Sequence, residues 1–308
     1  MAISRVLTVD GGGVRGIVPT IVLQRLCREP GLEGWLDRVD FVAGTSTGAL
    51  LVLALAAGID VDEIRRLYVE RASHVFADSL LDDIKDVGKI FGADYEVRNL
   101  EREVHRVFED RTLASLEKRV LITAFDLDNE ATTERTWKPK LFHNFPGEDS
   151  DGDALAYRVG TASSAAPTYF ATYDGYIDGG VFATNPSMCA LAQTQDPRIP
   201  HAERANLAEL RLLSLGTGRS LHYIEGKTRD WGYAQWIRPL LDLMLDGVNG
   251  IAHYQCSQLL GDHYERFAPT LPPDHPVGMD GVDAIPFLVQ FASEIKLTKT
   301  IDWLRAHW

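Results

Sequence analysis

Residues 39–57 constrain the fold more tightly than any other stretch. Val39-Asp40-Phe41-Val42-Ala43 is a short, mainly apolar run that reads as a buried strand, and Gly44-Thr45-Ser46-Thr47-Gly48 follows with no spacer. Ala49 to Ala57 is then an apolar helix that Gly58 stops. A strand that enters a helix this abruptly needs a sharp turn, which Gly44 and Gly48 permit on either side of Ser46. The helix N-terminus points its positive end at the Ser46 hydroxyl and lowers the cost of negative charge there. A glycine turn with a capping serine gives the same five-residue pattern, so the pattern alone makes Ser46 a candidate nucleophile and no more.

A second glycine motif opens the chain. Arg5-Val6-Leu7-Thr8-Val9 reads as a strand and runs into Asp10-Gly11-Gly12-Gly13-Val14-Arg15-Gly16. Gly11, Gly13 and Gly16 match the spacing of a dinucleotide-binding loop. Such a site wants an acidic residue closing the next strand, yet that strand ends at Ala43 and goes straight into the serine turn. The other reading is an anion cradle: the N–H groups of Gly11, Gly12 and Gly13 receive an oxyanion, and Arg15 either adds positive field and orients the loop or is an exposed, salt-bridging arginine. A third motif, Tyr176-Ile177-Asp178-Gly179-Gly180, puts Asp178 at a strand end, with a helix expected from Asn185-Pro186 onward. Aspartate before two glycines is also an ordinary turn.

Taken together and in this order, Asp-Gly-Gly-Gly-x-Arg-Gly, Gly-x-Ser-x-Gly and Asp-Gly-Gly resemble the patatin-like phospholipase family. Residues 161–170 and 213–218 look like family segments too, so the resemblance covers roughly residues 5 to 219. It implies Ser46 as nucleophile, Asp178 as its general base in a Ser-Asp dyad, and the Gly11, Gly12 and Gly13 amides, with Arg15, as the oxyanion hole. Gly44, Gly48, Gly179 and Gly180 support these motifs. The implied fold is a three-layer α/β/α domain with a mainly parallel central sheet. The implied reaction is phospholipase A type hydrolysis of glycerophospholipid acyl esters through an acyl-serine. A carboxylesterase for small soluble esters, and a nucleotide-messenger-activated defence phospholipase, use the same chemistry. A non-enzymatic nucleotide-binding protein is the reading from a different class. His201, His222, His253 and His263 follow Asp178 in the chain and could in principle complete a triad, but none stands in a setting that recommends it: His201 follows Ile199-Pro200 in a surface loop and His253 falls in a helix.

Strands near residues 6–9, 39–43, 120–125, 176–178 and 210–215 alternate with helices over residues 19–28, from 49 and from 186, the pattern of a parallel sheet covered on both faces. At 308 residues and 45% hydrophobic content, with no linker, one domain spanning 1–308 is expected, more variable from about residue 220. Helical pieces are expected at residues 287–296 and 301–308. Met1 to Ser4 leads at once into the first strand, leaving no room for a signal peptide, and three scattered cysteines make no disulfide framework. These features point to the cytoplasm. Forty-four acidic against thirty-one basic residues give a net charge of −13, which disfavours nucleic acid and anionic bilayers. No metal or cofactor is expected, and the acidic run 148–153 reads as a solvated loop. Oligomeric state is not legible. Peripheral membrane contact would rest on apolar groups: Trp231, Trp236, Leu240, Leu243 and Met244 fall at helical spacing, as a lid, an interfacial wedge or core.

Overall fold

The computed structural model describes residues 4–75, 97–221, 224 and 232–308. Strands β1 (Arg5–Val9), β2 (Phe41–Thr45), β3 (Arg119–Asp126), β4 (Lys138–His143), β5 (Tyr176–Asp178), β6 (Arg211–Leu215) and β7 (Tyr264–Phe267) form one sheet, ordered β4-β3-β2-β1-β6-β7, with β5 also paired to β3. The pairs β1–β2, β1–β6, β2–β3 and β6–β7 are parallel, whereas β4 and β5 run antiparallel to β3. The mainly parallel α/β architecture expected from the sequence is present.

Alternate strand residues feed two cores, as a sheet buried on both faces requires. Leu7, Val9, Val42, Val120, Ile122, Leu213 and Leu215 face one core, which they share with α2 (Thr47–Ala56), α4 (Val97–Phe108) and α5 (Ala156–Ser163). Val6, Phe41, Ala43, Leu121 and Leu212 face the other, against α7 (Ser187–Gln193) and α8 (Tyr233–Leu260). Helix α1 (Ile17–Cys27) packs one side into the first core and the other against α9 (Ile285–Glu294). Helix α3 (Val61–Val75) contacts α1 and α4, a one-turn α6 (Gly180–Ala183) follows β5, and α10 (Thr298–His307) ends the chain.

One detail of register fixes the site. Along β3, Thr123 pairs with Thr45, the last residue of β2, and the next residue, Ala124, pairs with Asp178, the last residue of β5. The chain leaves the sheet at Ser46, and β5 enters the strand position thereby vacated. Two side chains distant in sequence are therefore set end to end on a shared neighbour.

Candidate active site

Ser46 adopts φ 55° and ψ −126°, a conformation costly for a residue with a side chain. Its neighbours show why the turn stays in place. A Cβ on Gly44 would lie 2.4 Å from the Gly48 carbonyl oxygen, and one on Gly48 would lie 2.3 Å from that of Val9, so only glycine lets β2, α2 and β1 approach this closely. The Ser46 N–H donates to Ser163 Oγ at 2.8 Å, and the Ser46 carbonyl accepts from the Ala49 N–H at 2.8 Å, starting α2. Beneath the turn, Thr45 Oγ1 lies 2.8 Å from Thr123 Oγ1 and donates to the Ala183 carbonyl at 2.6 Å, tying β2, β3 and α6 together.

Ser46 and Asp178 both line the two cavities of the site, with the Ser46 side chain near enough to act on the Asp178 carboxyl. Asp178 is buried, its N–H donates to the Ala165 carbonyl at 2.9 Å, and its Oδ1 accepts the Gly180 N–H at 2.6 Å. Burial pushes the carboxyl from 3.8 up to about 6, against the downward pull of the nearby Ser46 side chain and of the Gly180 hydrogen bond. No described histidine hydrogen-bonds either residue. His253, in the cleft wall, lies 3.4 Å from the Tyr264 hydroxyl, and His263 lies 3.3 Å from Arg211; burial lowers both imidazoles below their ordinary value. His201 sits in a short 3-10 turn, and His222 lies outside the described residues.

The first glycine loop crosses beside Ser46: a Cβ on Gly11 would stand 3.3 Å from that of Ser46. Here the structure differs from the expectation that all three glycine amides stay open. The Gly11 N–H donates to the Thr184 carbonyl at 3.0 Å, and the Gly11 carbonyl accepts from Thr217 Oγ1 at 2.7 Å. Gly11 thus anchors the loop to α6 and to the segment after β6. Among the described residues, nothing takes the N–H of Gly12 or Gly13. Gly13 has φ 57°, the left-handed conformation that suits glycine, and a Cβ on Gly12 would fall 2.3 Å from Thr217 Oγ1. Arg15 donates to the Gly12 carbonyl through its backbone N–H at 3.2 Å and Nε at 3.4 Å, so it braces the loop.

Asp10, at the head of that loop, is buried and paired. Arg266 Nη1 donates to Asp10 Oδ1 at 2.7 Å, Arg266 Nη2 reaches Oδ2, and Asn249 Nδ2 donates to Oδ2 at 3.1 Å. Arg266 also donates to Ser214 Oγ at 2.7 Å and Asn249 Oδ1 at 2.9 Å, joining β1, β6, β7 and α8 in one network. Sequence reasoning missed Arg266, Asn249 and Ser163. A buried carboxylate either pairs with a cation or is driven toward its neutral form, so Asp10 at the end of an apolar strand was the available signal, though nothing local says that Arg266 answers it.

Two cavities meet at Ser46 and Asp178. One is a cleft of about 780 Å³ with mixed walls that include Asp10, Arg15, Thr217, Asn249, His253 and Arg266. The other, of about 500 Å³, is an apolar channel between α2, α3 and α4, walled by Leu50, Ile64, Leu67, Leu100, Val104 and Phe108. Ser46 and Asp178 thus stand where a polar and an apolar compartment join. The acidic run 148–153 is engaged in ion pairs: Asp151 with Lys140 at 2.5 Å, and Asp149 with Arg198 at 2.9 Å.

The family profile described as patatin-like phospholipase matches residues 7–191, a span that holds every one of these motif residues. The chain belongs to that family. Among its relatives, the candidate sporulation hydrolase CotR of Bacillus subtilis is 29% identical, covering 100% of this chain and 99% of CotR. A cGAMP-activated phospholipase of Pseudomonas aeruginosa is 28% identical, covering 91% of this chain and 82% of its own length. Patatin group A-3 of Solanum tuberosum is 25% identical, covering 85% and 73%. Among solved structures, VipD from Legionella pneumophila is similar with a TM-score of 0.47 and 13% identity, over 99% of this chain and 67% of VipD. As a patatin-like phospholipase, the chain is a hydrolase of lipid esters. Among its described residues, no helix is long and apolar enough to cross a membrane.

Proposed function

We propose that this protein hydrolyses fatty-acyl esters of glycerophospholipids by a Ser46–Asp178 dyad. The observation that carries the reading is the buried Asp178 carboxylate close to Ser46 where the two cavities meet, with its basicity raised by burial to about 6. An ordinary carboxylate is too weak a base to activate a hydroxyl near neutral pH, and burial corrects this in the required direction. Ser46 Oγ attacks the ester carbonyl carbon while Asp178 takes the hydroxyl proton. Negative charge moves to the carbonyl oxygen, where the N–H groups of Gly12 and Gly13 and the start of α2 receive it. The tetrahedral intermediate collapses, the C–O bond to the alcohol breaks, and protonated Asp178 gives its proton to the departing oxygen. Water then attacks the acyl-serine, Asp178 takes a proton from it, and the fatty acid leaves as Ser46 recovers its hydroxyl.

The apolar channel supports the lipid half of the reading, because a long acyl chain finds there the burial that water denies it. The mixed cleft that meets the channel at Ser46 and Asp178 leaves room for the alcohol and its head group. Labelling with a fluorophosphonate tests the chemistry: the adduct is expected on Ser46 and absent in Ser46→Ala. A panel of phospholipids against short soluble esters, run with and without cGAMP, tests the substrate. Fatty-acid release confined to the short esters would move the assignment to a soluble carboxylesterase, and labelling at another residue would remove the dyad.

A further inference from the structure

Helix α8 wears its apolar residues on the wrong side for a protein surface. Of the ten large apolar side chains exposed among the described residues, six belong to this helix: Leu240, Leu243, Met244, Ile251, Tyr254 and Leu259. Its inward face is filled by Ala252, Cys256 and Leu260, all buried. At 100° per residue, Leu240, Leu243, Met244, Ile251 and Tyr254 lie within about 60° of one line, opposite that inward face, over ~21 Å of helix. Gly247 falls on the same line, and a side chain there would meet nothing within 4 Å. Of the stripe anticipated from the sequence, Trp236 is half-buried, Trp231 lies outside the described residues, and Leu240, Leu243 and Met244 face outward.

Two observations identify what covers this face. From Gly247 to Leu260 the helix has no Lys, Arg, Asp or Glu, and Asp242 and Asp246 precede that stretch in a chain of net charge −13. An anionic surface is repelled by this acidic chain, and a cationic one finds no acidic partner on the stripe from Gly247 onward. Next to the stripe, the same helix forms a wall of the Ser46 cleft through Asp246, Asn249, Gly250, His253 and Ser257. A partner seated on the stripe therefore sits at the cleft mouth, where a lipid surface delivers ester and a second copy of the chain would obstruct it.

We propose that the outward face of α8 is a docking surface for zwitterionic lipid, holding the Ser46 cleft against the interface. The inference rests on the lipid-ester reading of the site. The combined variant Leu243→Gln, Met244→Gln, Ile251→Gln changes only outward side chains that line neither cavity. Flotation with phosphatidylcholine vesicles should carry the native protein and lose roughly tenfold or more of the variant, with weaker binding of both when phosphatidylglycerol is added. Fatty-acid release from the vesicles should fall in parallel, while turnover of a monomeric nitrophenyl butyrate stays unchanged. Ile251→Gln alone gives a smaller loss and guards against a folding defect, which circular dichroism would report. Native protein that fails to float, or a variant that floats equally well, overturns the proposal. So does a variant whose only change is a halved mass in solution, since the stripe would then join two copies. Failure to turn over the soluble ester counts against the reading of the site, and flotation still decides the surface.

Discussion

Burial of Asp178 raises the basicity of its carboxylate, as the proposed reaction requires, and at the same moment sets that group against folding. In the unfolded chain the carboxyl ionises near 3.8, in the folded protein near 6. Because the folded value is the higher, the folded state is favoured by this group below 3.8, and the advantage is lost as pH rises through 6. Near neutral pH the ionised group weighs against the fold by about 3 kcal/mol. Asp178→Asn should therefore unfold at higher urea than the parent near pH 8 and at the same urea near pH 4. In the parent, kcat/KM for a soluble ester should climb with pH through about 6 and then level as the base ionises, whereas Asp178→Asn should have no such limb. Equal urea midpoints at both pH values would show that burial does not raise this carboxyl. The strained backbone at Ser46 is a second local cost, set where α2 begins.

Elements carry these residues through a few long-range ties, and the tie at Asp10 is the one most exposed to a single substitution. Removing Arg266 leaves the Asp10 carboxylate buried without its cation, so Arg266→Met should cost about 3–5 kcal/mol in thermal or urea unfolding. Adding Asp10→Asn should recover much of that loss, because both charges are then gone. An Arg266→Met protein as stable as the parent would remove this network from the account of how the glycine loop is held. The same scale shows what could be read in advance. Strands β1, β2, β3 and β6 are apolar runs buried on both faces and declare themselves. Strand β4 does not, since Lys138, Pro139 and Lys140 mark it as an edge, where charge and proline belong. Strand β7 has four residues, two of them the charged Glu265 and Arg266. The motif glycines marked the turns, but the Gly11 N–H is committed to Thr184, a residue far along the chain, and no local pattern encodes that. Ser163 and Asn249 were hidden for the same reason: each acts on a residue more than a hundred positions away.

For the whole molecule, the sheet puts Ser46 and Asp178 where an apolar channel and a mixed cleft meet, and α8 forms a wall of the cleft while facing outward with apolar side chains. CotR is similar to this chain over its full length, so the likeness includes the part after residue 220, which holds α8 and Arg266. The meeting of β2 and β5 on β3 has one more consequence. Nothing covalent spans that seam; Asp178 stays opposite Ser46 through a three-residue strand and its hydrogen bond to Ala165. Such a latch should slip while the building around it still stands: in a urea titration, hydrolysis should vanish at a lower concentration than far-ultraviolet ellipticity, and return at once on dilution.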